Sequence, residues 1–322
     1  MKPLLLILDD WEGRISASSC WNKLNEIVEI KYLKEPIDKV DKSELAQVEF
    51  LMAIRERTSL TEQVFKTLPN LKLILQTGGH AYHIDSAAAQ KQGIVIALGR
   101  RVKAPLISVP ELTFAMALGI LHQVPQANKA MHAGQWPLLT GRTLSNRRLG
   151  ILGMGRHGSR VANIASQAFD MDVVAWDRPG SNNDKKDGFR RLPLDELLAT
   201  SDIVSIHLRL SDESSGLMNA EKFQKMKQGA ILINTSRGAI VDEESLIAAL
   251  IKGSLFGAGL DVFMQEPLET DSPLRSLDNV ILTPHIGWTV AEVFEEFAQI
   301  ACAQLSDYLH GTLAPSELLQ LV

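Results

Sequence analysis

Short apolar runs alternate with amphipathic stretches along the first hundred residues. Five of these runs have the length of buried strands, at positions 4–8, 28–32, 50–54, 71–76 and 94–97. The stretches between them have helical spacing, and strands that alternate with helices predict a parallel sheet covered on both faces. The first run ends at Asp9 and Asp10 without a small-residue cleavage site, so we interpret it as a strand and not as a signal peptide.

The same alternation starts again near residue 109. A long helix is predicted from Pro110 to about Val124, with the proline in its first turn. Six strands are then predicted, at positions 149–152, 172–176, 203–206, 230–234, 257–261 and 280–283. A last helix is predicted at 291–308, and the polar stretch 178–188 is interpreted as a surface loop. The chain therefore carries two α/β blocks.

Composition and charge narrow the class of protein. The 322 residues are 45% hydrophobic and 22% charged, which is typical of a globular protein with two domains of about 150 residues. The net charge of −5 provides no polybasic face, which argues against nucleic acid and anionic membranes as partners. No apolar run reaches the roughly 18 residues that a membrane span needs. We expect no metal, because no His/Asp/Glu set has ligand spacing. Two cysteines far apart in sequence fit a reducing cytoplasm.

A glycine motif with the pattern G-x-G-x-x-G follows the predicted strand 149–152. It reads Gly153-Met154-Gly155-Arg156-His157-Gly158. A strand before it and a helix after it are the context in which such glycines let backbone N–H groups approach a dinucleotide pyrophosphate. Asp177 ends the next strand about 20 residues further on, where an acidic residue binds the ribose 2′-OH of NAD. NADP is the alternative cofactor, because Arg156 or Arg178 could bind its 2′-phosphate.

Polar groups follow four successive apolar strands of the second block. They are His207, the segment Thr235-Ser236-Arg237, Asp261 and His285. Because ligands of such sheets bind outside the carboxyl ends of the strands, we interpret these groups as one site. Hydride transfer to the carbonyl of a keto acid needs a group that binds the substrate carboxylate and a group that donates a proton. Arg237 can supply the first with its planar set of N–H donors, and His285 can supply the second. Glu266 lies in a loop after the Asp261 strand, as a carboxylate partner for the histidine.

With these motifs the chain resembles the D-isomer-specific 2-hydroxyacid dehydrogenase family, which includes phosphoglycerate dehydrogenases and glyoxylate/hydroxypyruvate reductases. The matching segments are 149–155, 234–238, 260–267 and 283–287. The resemblance implies an α/β protein of two doubly wound, Rossmann-like parallel-sheet domains. A flavodoxin-like substrate domain would comprise 1–101 and 288–322, and an NAD-binding domain would comprise 102–287. Family analogy also implies a homodimer through the long helix near Pro110.

The resemblance assigns roles to the residues at the strand ends. Arg237 would anchor the substrate carboxylate and carbonyl, His285 would donate the proton, and Glu266 would be the partner of His285. The cofactor contacts would include Thr235, Ser236, Asp261, Gly287 and His207. The family commonly has a His-x-Pro segment at the last of these positions, whereas this chain reads His207-Leu208-Arg209.

Three places in the sequence would meet the substrate. Arg55 resembles the family's Arg-Ser-x-Thr region, where a basic residue can meet the distal end of the substrate; a solvated loop arginine is the alternative. Gly78-Gly79 resembles a loop whose N–H groups hold the substrate carboxylate, and a simple strand-ending turn is the alternative. Trp288 either narrows the pocket or packs against the tail helix.

The sequence thus predicts reversible, NAD-dependent reduction of a small 2-keto acid, of the phosphoglycerate, glyoxylate or hydroxypyruvate type, to its D-2-hydroxy acid. A formate dehydrogenase shares the architecture but resembles this family with Gln in place of the acidic partner, so Glu266 argues against it. The alternative from another class is a dinucleotide-sensing, corepressor-like binding protein of weak catalytic power.

Overall fold

The computed structural model describes residues 2–178 and 188–320, and part of the loop predicted at 178–188 therefore lies outside the described residues. The chain divides into two compact units. The first unit comprises residues 1–104 and 289–322, and the second comprises residues 105–288. Each unit contains one sheet.

The strands of the described residues, in chain order, are β1 (Leu4–Ile7), β2 (Glu29–Tyr32), β3 (Val48–Ala53), β4 (Leu73–Gln76), β5 (Val95–Leu98), β6 (Arg148–Leu152), β7 (Asp172–Trp176), β8 (Arg190–Arg191), β9 (Ile203–Ile206), β10 (Ala230–Asn234), β11 (Leu255–Leu260) and β12 (Val280–Leu282). The α-helices are α1 (Trp21–Leu24), α2 (Lys42–Leu45), α3 (Glu62–Phe65), α4 (Ser86–Lys91), α5 (Pro105–Leu121), α6 (Val124–His132), α7 (Arg156–Phe169), α8 (Leu194–Thr200), α9 (Ala220–Lys225), α10 (Glu243–Ile251) and α11 (Ala291–Leu309).

The sheet of the first unit has the strand order β2-β1-β3-β4-β5, with all neighbours parallel. This is the flavodoxin-like order. The sheet of the second unit has the order β12-β11-β10-β9-β6-β7-β8, also parallel throughout. Its order reverses between β6 and β9, the kind of switch point where ligands of doubly wound sheets bind. The predicted fold class is confirmed.

Helices cover both faces of the seven-stranded sheet, as its nearly continuous apolar strands require. Neighbouring residues of β6 show the alternation. Ile151 packs into a cluster with side chains of α5 and α7, whereas Leu152 packs into a cluster with α8, α9 and α10. Both side chains are fully buried. The strand register thus fixes which residues reach the carboxyl edge of the sheet, where the candidate site lies.

The helix predicted at 110–124 begins earlier than the sequence pattern indicated. α5 contains Pro110 in its interior, so the prediction that this proline lies in the first turn was wrong. Pro105 takes that place, because the first turn tolerates a residue without an N–H and its ring already fixes a helical φ. The helix ends before Gln123, whose φ is +54°, and α6 follows with Pro125 in its first turn.

Within the described residues, no single helix is long and apolar enough to cross a membrane. The pair α5 and α6, bent by 65° at the break between them, passes that test by combined length and composition alone.

Candidate active site

The glycine motif forms a tight turn between β6 and α7. Gly153 has a φ of +98°, and a Cβ there would lie 2.9 Å from the carbonyl oxygen of His207, on the strand end across the switch point. A Cβ at Gly158 would lie 2.0 Å from the carbonyl oxygen of Gly153, so only glycine fits. Gly155, in contrast, faces open space. The motif is therefore closely packed at Gly153 and Gly158 and open at Gly155, and a pyrophosphate at a helix N-terminus requires such open space.

The carboxylate of Asp177 is held from two sides. The Met154 N–H donates to Oδ1 at 2.7 Å, and Arg191 Nε donates to Oδ2 at 2.9 Å. Arg178 Nη1 instead donates to Ser211 Oγ at 2.5 Å and to Glu213 Oε2 at 3.1 Å. The acidic residue therefore lies against the glycine turn, where the ribose of a dinucleotide on that turn would lie. These residues fit NAD.

His207 follows β9 beside the glycine turn. Its Nε2 lies 2.8 Å from the hydroxyl of Ser205, which is fully buried in the strand. Burial lowers the pKa of His207 to about 3, and the positive charge that His157 can carry adds to the effect. His207 is therefore neutral at physiological pH and can serve as a polar, uncharged neighbour of the turn.

The turn after β10 is fixed by short hydrogen bonds. The Asn234 side chain donates to the Arg237 carbonyl at 3.0 Å, and Ser236 Oγ donates to the Ile206 carbonyl at 2.7 Å. A Cβ at Gly238 would lie 1.9 Å from the Phe263 carbonyl group, so this turn packs directly on the loop after β11. Thr235 Oγ1 lies 3.3 Å from Thr113 Oγ1 of α5.

Asp261 joins the ends of β11 and β12. The Ile286 N–H donates to Oδ1 and the Gly287 N–H donates to Oδ2, both at 2.8 Å, while the Thr283 hydroxyl donates to Oδ1 at 2.5 Å. Burial raises the pKa of this carboxyl, although the three donors oppose the rise. Asp261 thus orients the turn that carries His285, which has a φ of +55°.

His285 and Glu266 form a direct pair. Nδ1 of His285 donates to Oε2 of Glu266 at 2.7 Å, and the Phe263 N–H donates to the other carboxylate oxygen at 3.0 Å. Burial alone would raise the pKa of Glu266. The hydrogen bond and charge of His285, the Phe263 N–H and the charge of Arg237 outweigh it, and the pKa is lowered. The carboxylate of Glu266 is therefore favoured in its ionised form beside His285 and Arg237.

The first unit brings Arg55 and Gly78 together. Arg55 follows β3 with a φ of +55°, and its N–H donates to Thr77 Oγ1 at 2.7 Å. Gly78 has a φ of +93°, and a Cβ there would lie 2.5 Å from Nη1 of Arg55. Gly79 is exposed, and a Cβ there would meet only Arg100, at 3.8 Å. Trp288 is the last residue of the second unit and is partly buried.

Sequence reasoning missed several partners of these residues. They are Arg191 beside Asp177, Ser205 beside His207, Thr283 beside Asp261, and Glu56 with His80 beside Arg55. Thr283 lies in the matching segment 283–287, and Glu56 stands where the family's Arg-Ser-x-Thr region has serine. Both positions could therefore have been singled out from the sequence. Arg191 and Ser205 carried none, because their partners are set by side-chain packing.

Comparison with known proteins places this architecture in a family. A family model described as D-isomer specific 2-hydroxyacid dehydrogenase, NAD binding domain, matches residues 114–287. A glyoxylate reductase of Thermofilum pendens is 36% identical over 284 residues, 83% of each chain. A D-3-phosphoglycerate dehydrogenase of Synechocystis is 36% identical over 270 residues, 82% of this chain and 47% of that one. A crystal structure from Thermus thermophilus matches with a TM-score of 0.85 and 31% identity, over 98% of this chain and 100% of that one.

The chain belongs to the D-isomer-specific 2-hydroxyacid dehydrogenase family. It is an NAD-dependent oxidoreductase that interconverts 2-keto acids and D-2-hydroxy acids. The predicted family, reaction and cofactor are confirmed.

Proposed function

We propose that Arg237, Glu266 and His285 are the catalytic residues of this dehydrogenase. The observation that carries the proposal is the 2.7 Å pair of His285 Nδ1 and Glu266 Oε2, within reach of the charge of Arg237. Nε2 of His285 has no hydrogen-bond partner among the residues that the structure describes, so it is available for a substrate. A passive dinucleotide sensor would have no need of such a pair.

The glycine turn and Asp177 would hold the dinucleotide, which would supply the hydride acceptor or donor for carbon 2 of the substrate. Arg237 binds the substrate carboxylate with its planar donor fork and polarises the neighbouring carbonyl oxygen. In the reductive direction, His285 gives the proton on Nε2 to that oxygen, and in the oxidative direction it takes the proton back. Glu266 holds the ring by Nδ1, so that Nε2 keeps one orientation through both directions.

The same proposal assigns the dinucleotide contacts to the carboxyl edge of the seven-stranded sheet. The contacts are Gly153, Met154, Gly155, Arg156, His157, Gly158, Asp177, His207, Thr235, Ser236, Asp261 and Gly287. Support comes from the open space above Gly155 and from the carboxylate of Asp177, which would repel a 2′-phosphate and favours NAD over NADP.

We further propose that residues 1–101 and 288–322 form the substrate domain and that residues 102–287 form the NAD-binding domain. The two compact units, 1–104 with 289–322 and 105–288, support this division. The residues proposed as substrate contacts are Arg55, Gly78 and Gly79 in the first unit, and Arg237 and Trp288 in the second. The substrate is a small 2-keto acid of the glyoxylate, hydroxypyruvate or phosphoglycerate type.

Replacing His285 tests the catalytic assignment. The variant His285→Ala should lower kcat by about 10²- to 10⁴-fold, because it removes the proton donor, while NADH binding changes little. Steady-state assays with glyoxylate and hydroxypyruvate measure kcat, and fluorescence titration measures NADH affinity. His310→Ala, which changes an exposed histidine of the tail, is the control. Near-native turnover by His285→Ala would refute the assignment.

A homodimer is proposed from an apolar surface around and after α6. Trp136 is 82% exposed and Leu138 is 95% exposed, while Val124 and Met131 are about half exposed. Large apolar side chains that are this exposed often belong to interfaces, and a second copy of the chain would cover them. Light scattering on the eluting protein should give twice the chain mass, and Trp136→Ala with Leu138→Ala should shift it toward the monomer. A monomeric native protein would contradict the proposal.

A cytoplasmic location is also proposed, on the ground that Cys20 and Cys302 both carry free thiols, as proteins of reducing compartments do. Cell fractionation followed by immunodetection measures the location.

A further inference from the structure

The segment after β3 holds its first arginine in a fixed conformation. The Arg55 N–H donates to Thr77 Oγ1 at 2.7 Å, and the Gln76 side chain donates to the Arg55 carbonyl at 3.2 Å. Both partners lie at the end of β4, so two neighbouring strands position the backbone at a left-handed φ of +55°. The guanidinium is consequently laid against Gly78, where a Cβ would come within 2.5 Å of it.

Backbone donors lie beside this guanidinium. Within the part of the chain that the structure describes, no acceptor faces the N–H groups of Gly78 and Gly79. Gly79 is exposed to solvent, whereas Gly78 is buried and its nitrogen lies against Gly99. Together with Arg55, the Gly79 N–H forms a small surface that an anionic group of a substrate can approach.

A carboxylate limits the positive charge of this surface. Glu56 Oε2 lies 3.4 Å from Arg55 Nε, and Glu56 Oε1 lies 3.2 Å from His80 Nε2. The side chain of Arg55 is 15% exposed and that of Glu56 is 33% exposed, so water screens the pair only in part. A second anionic group of a substrate would need the positive charge of Arg55. The negative charge of Glu56 lies directly beside that cation.

The next arginine is compensated in the same way. Arg57 Nη1 donates to Glu12 Oε2 at 2.8 Å and to the Asp9 carbonyl at 2.7 Å. Its guanidinium also stacks over the ring of Trp11, with 4.6 Å to the ring centroid. Both arginines of the segment are thus matched by a carboxylate, and neither brings uncompensated charge to the surface.

We infer that Glu56 is a specificity-determining residue that restricts the enzyme to 2-keto acids with an uncharged substituent at carbon 3. The inference rests on the proposed function and decides between two kinds of substrate that the relatives' names suggest, phosphorylated and unphosphorylated. A phosphate dianion near Arg55 would meet the Glu56 carboxylate within a few ångströms, where the two negative charges repel each other. A hydroxyl group or a hydrogen atom meets no such repulsion.

The experiment compares hydroxypyruvate with its 3-phosphate ester, each with NADH. The native enzyme should show at least about a 10-fold higher kcat/KM for hydroxypyruvate. The variant Glu56→Gln keeps the size of the side chain and removes its charge. It should raise kcat/KM for the phosphate ester about 10-fold and leave hydroxypyruvate within about 3-fold. Adding Arg55→Gln should abolish that gain.

The matched control is Glu49→Gln, which removes a carboxylate within β3 that pairs with Lys72 on the surface. It should leave the ratio of the two substrates unchanged. Equal use of both substrates by the native enzyme would overturn the inference, and so would an equal change for both in Glu56→Gln. The native ratio decides even where a variant folds poorly. Failure of the proposed function looks different, because neither substrate would then be turned over.

Discussion

The carboxyl edges of the two sheets hold their functional side chains by different means. At the edge of the seven-stranded sheet, backbone groups fix many of the functional residues. Two N–H groups donate to Asp261, and Gly158 packs against the Gly153 carbonyl. At the edge of the five-stranded sheet, ion pairs between side chains surround Arg55 and Arg57. A residue fixed by close backbone contacts tolerates few substitutions, whereas an ion pair can be made or removed by substituting a single side chain. The first edge therefore suits shared chemistry, and the second suits variable specificity.

The largest expected effect comes from breaking the backbone contacts of the glycine turn. Gly158→Ala would place a Cβ against the Gly153 carbonyl, which cannot move independently of β6. The free energy of unfolding should fall by about 3 kcal/mol, measured by urea denaturation. Gly155→Ala is the matched variant, because nothing lies within 4 Å of its added Cβ.

We expect Gly155→Ala to keep the stability within about 1 kcal/mol and to weaken NADH binding about 10-fold, since the methyl group would occupy the space of the pyrophosphate. Equal stability losses in both variants would show that the two glycines do not differ in this way.

The second effect concerns Asp177, whose carboxylate is held at the seven-stranded edge by an ion pair with Arg191 as well as by a backbone N–H. Asp177→Ser would remove the charge that opposes a 2′-phosphate and would release Arg191 to bind one. The ratio of kcat/KM for NADH over NADPH should fall about 100-fold. Arg178→Gln is the control and should change the ratio less than about 3-fold, because Arg178 is directed to Ser211 and Glu213. An unchanged ratio in Asp177→Ser would place cofactor selection elsewhere.

The smallest effect at neutral pH concerns His207, because its contribution to stability changes only below pH 6.5. Its pKa is about 3 in the folded protein against the ordinary value of 6.5. Between these values only the unfolded chain binds the proton, so stability is complete above pH 6.5 and falls as the pH drops toward 3. His207→Gln should reduce that slope by up to about 1.4 kcal/mol per pH unit. Urea denaturation at several pH values measures it, and identical slopes would contradict the shift.

The parts of the site that sequence reasoning predicted follow from strand order alone. Arg237, Asp261 and His285 each come directly after an apolar strand, and a parallel sheet brings the ends of its strands to one edge. The pair of Glu266 with His285 could be expected because both lie in short segments after neighbouring strands. The glycine motif was recognisable because its spacing meets a steric need that other residues cannot meet.

The parts that it could not predict depend on side-chain geometry. Arg191 reaches Asp177 from a two-residue strand with no apolar pattern, and His80 reaches Glu56 from another loop. The start of α5 at Pro105 was missed because Pro110 equally satisfies the preference of proline for the first turn of a helix. In each case several local arrangements fit the sequence, and tertiary packing selects one of them.

The path of the chain through the two units has a consequence for synthesis on the ribosome. The five-stranded sheet needs α11, whose Gln304 is buried and donates to the Leu98 carbonyl, and Leu319 donates to Ile96 from still further along the chain. Residues 1–104 therefore lack packing partners until residues 289–322 have been synthesised. The second unit, made of one continuous stretch, can finish folding beforehand. A released chain truncated after residue 290 should accordingly protect residues 105–288 from protease while the strands before them remain cleavable.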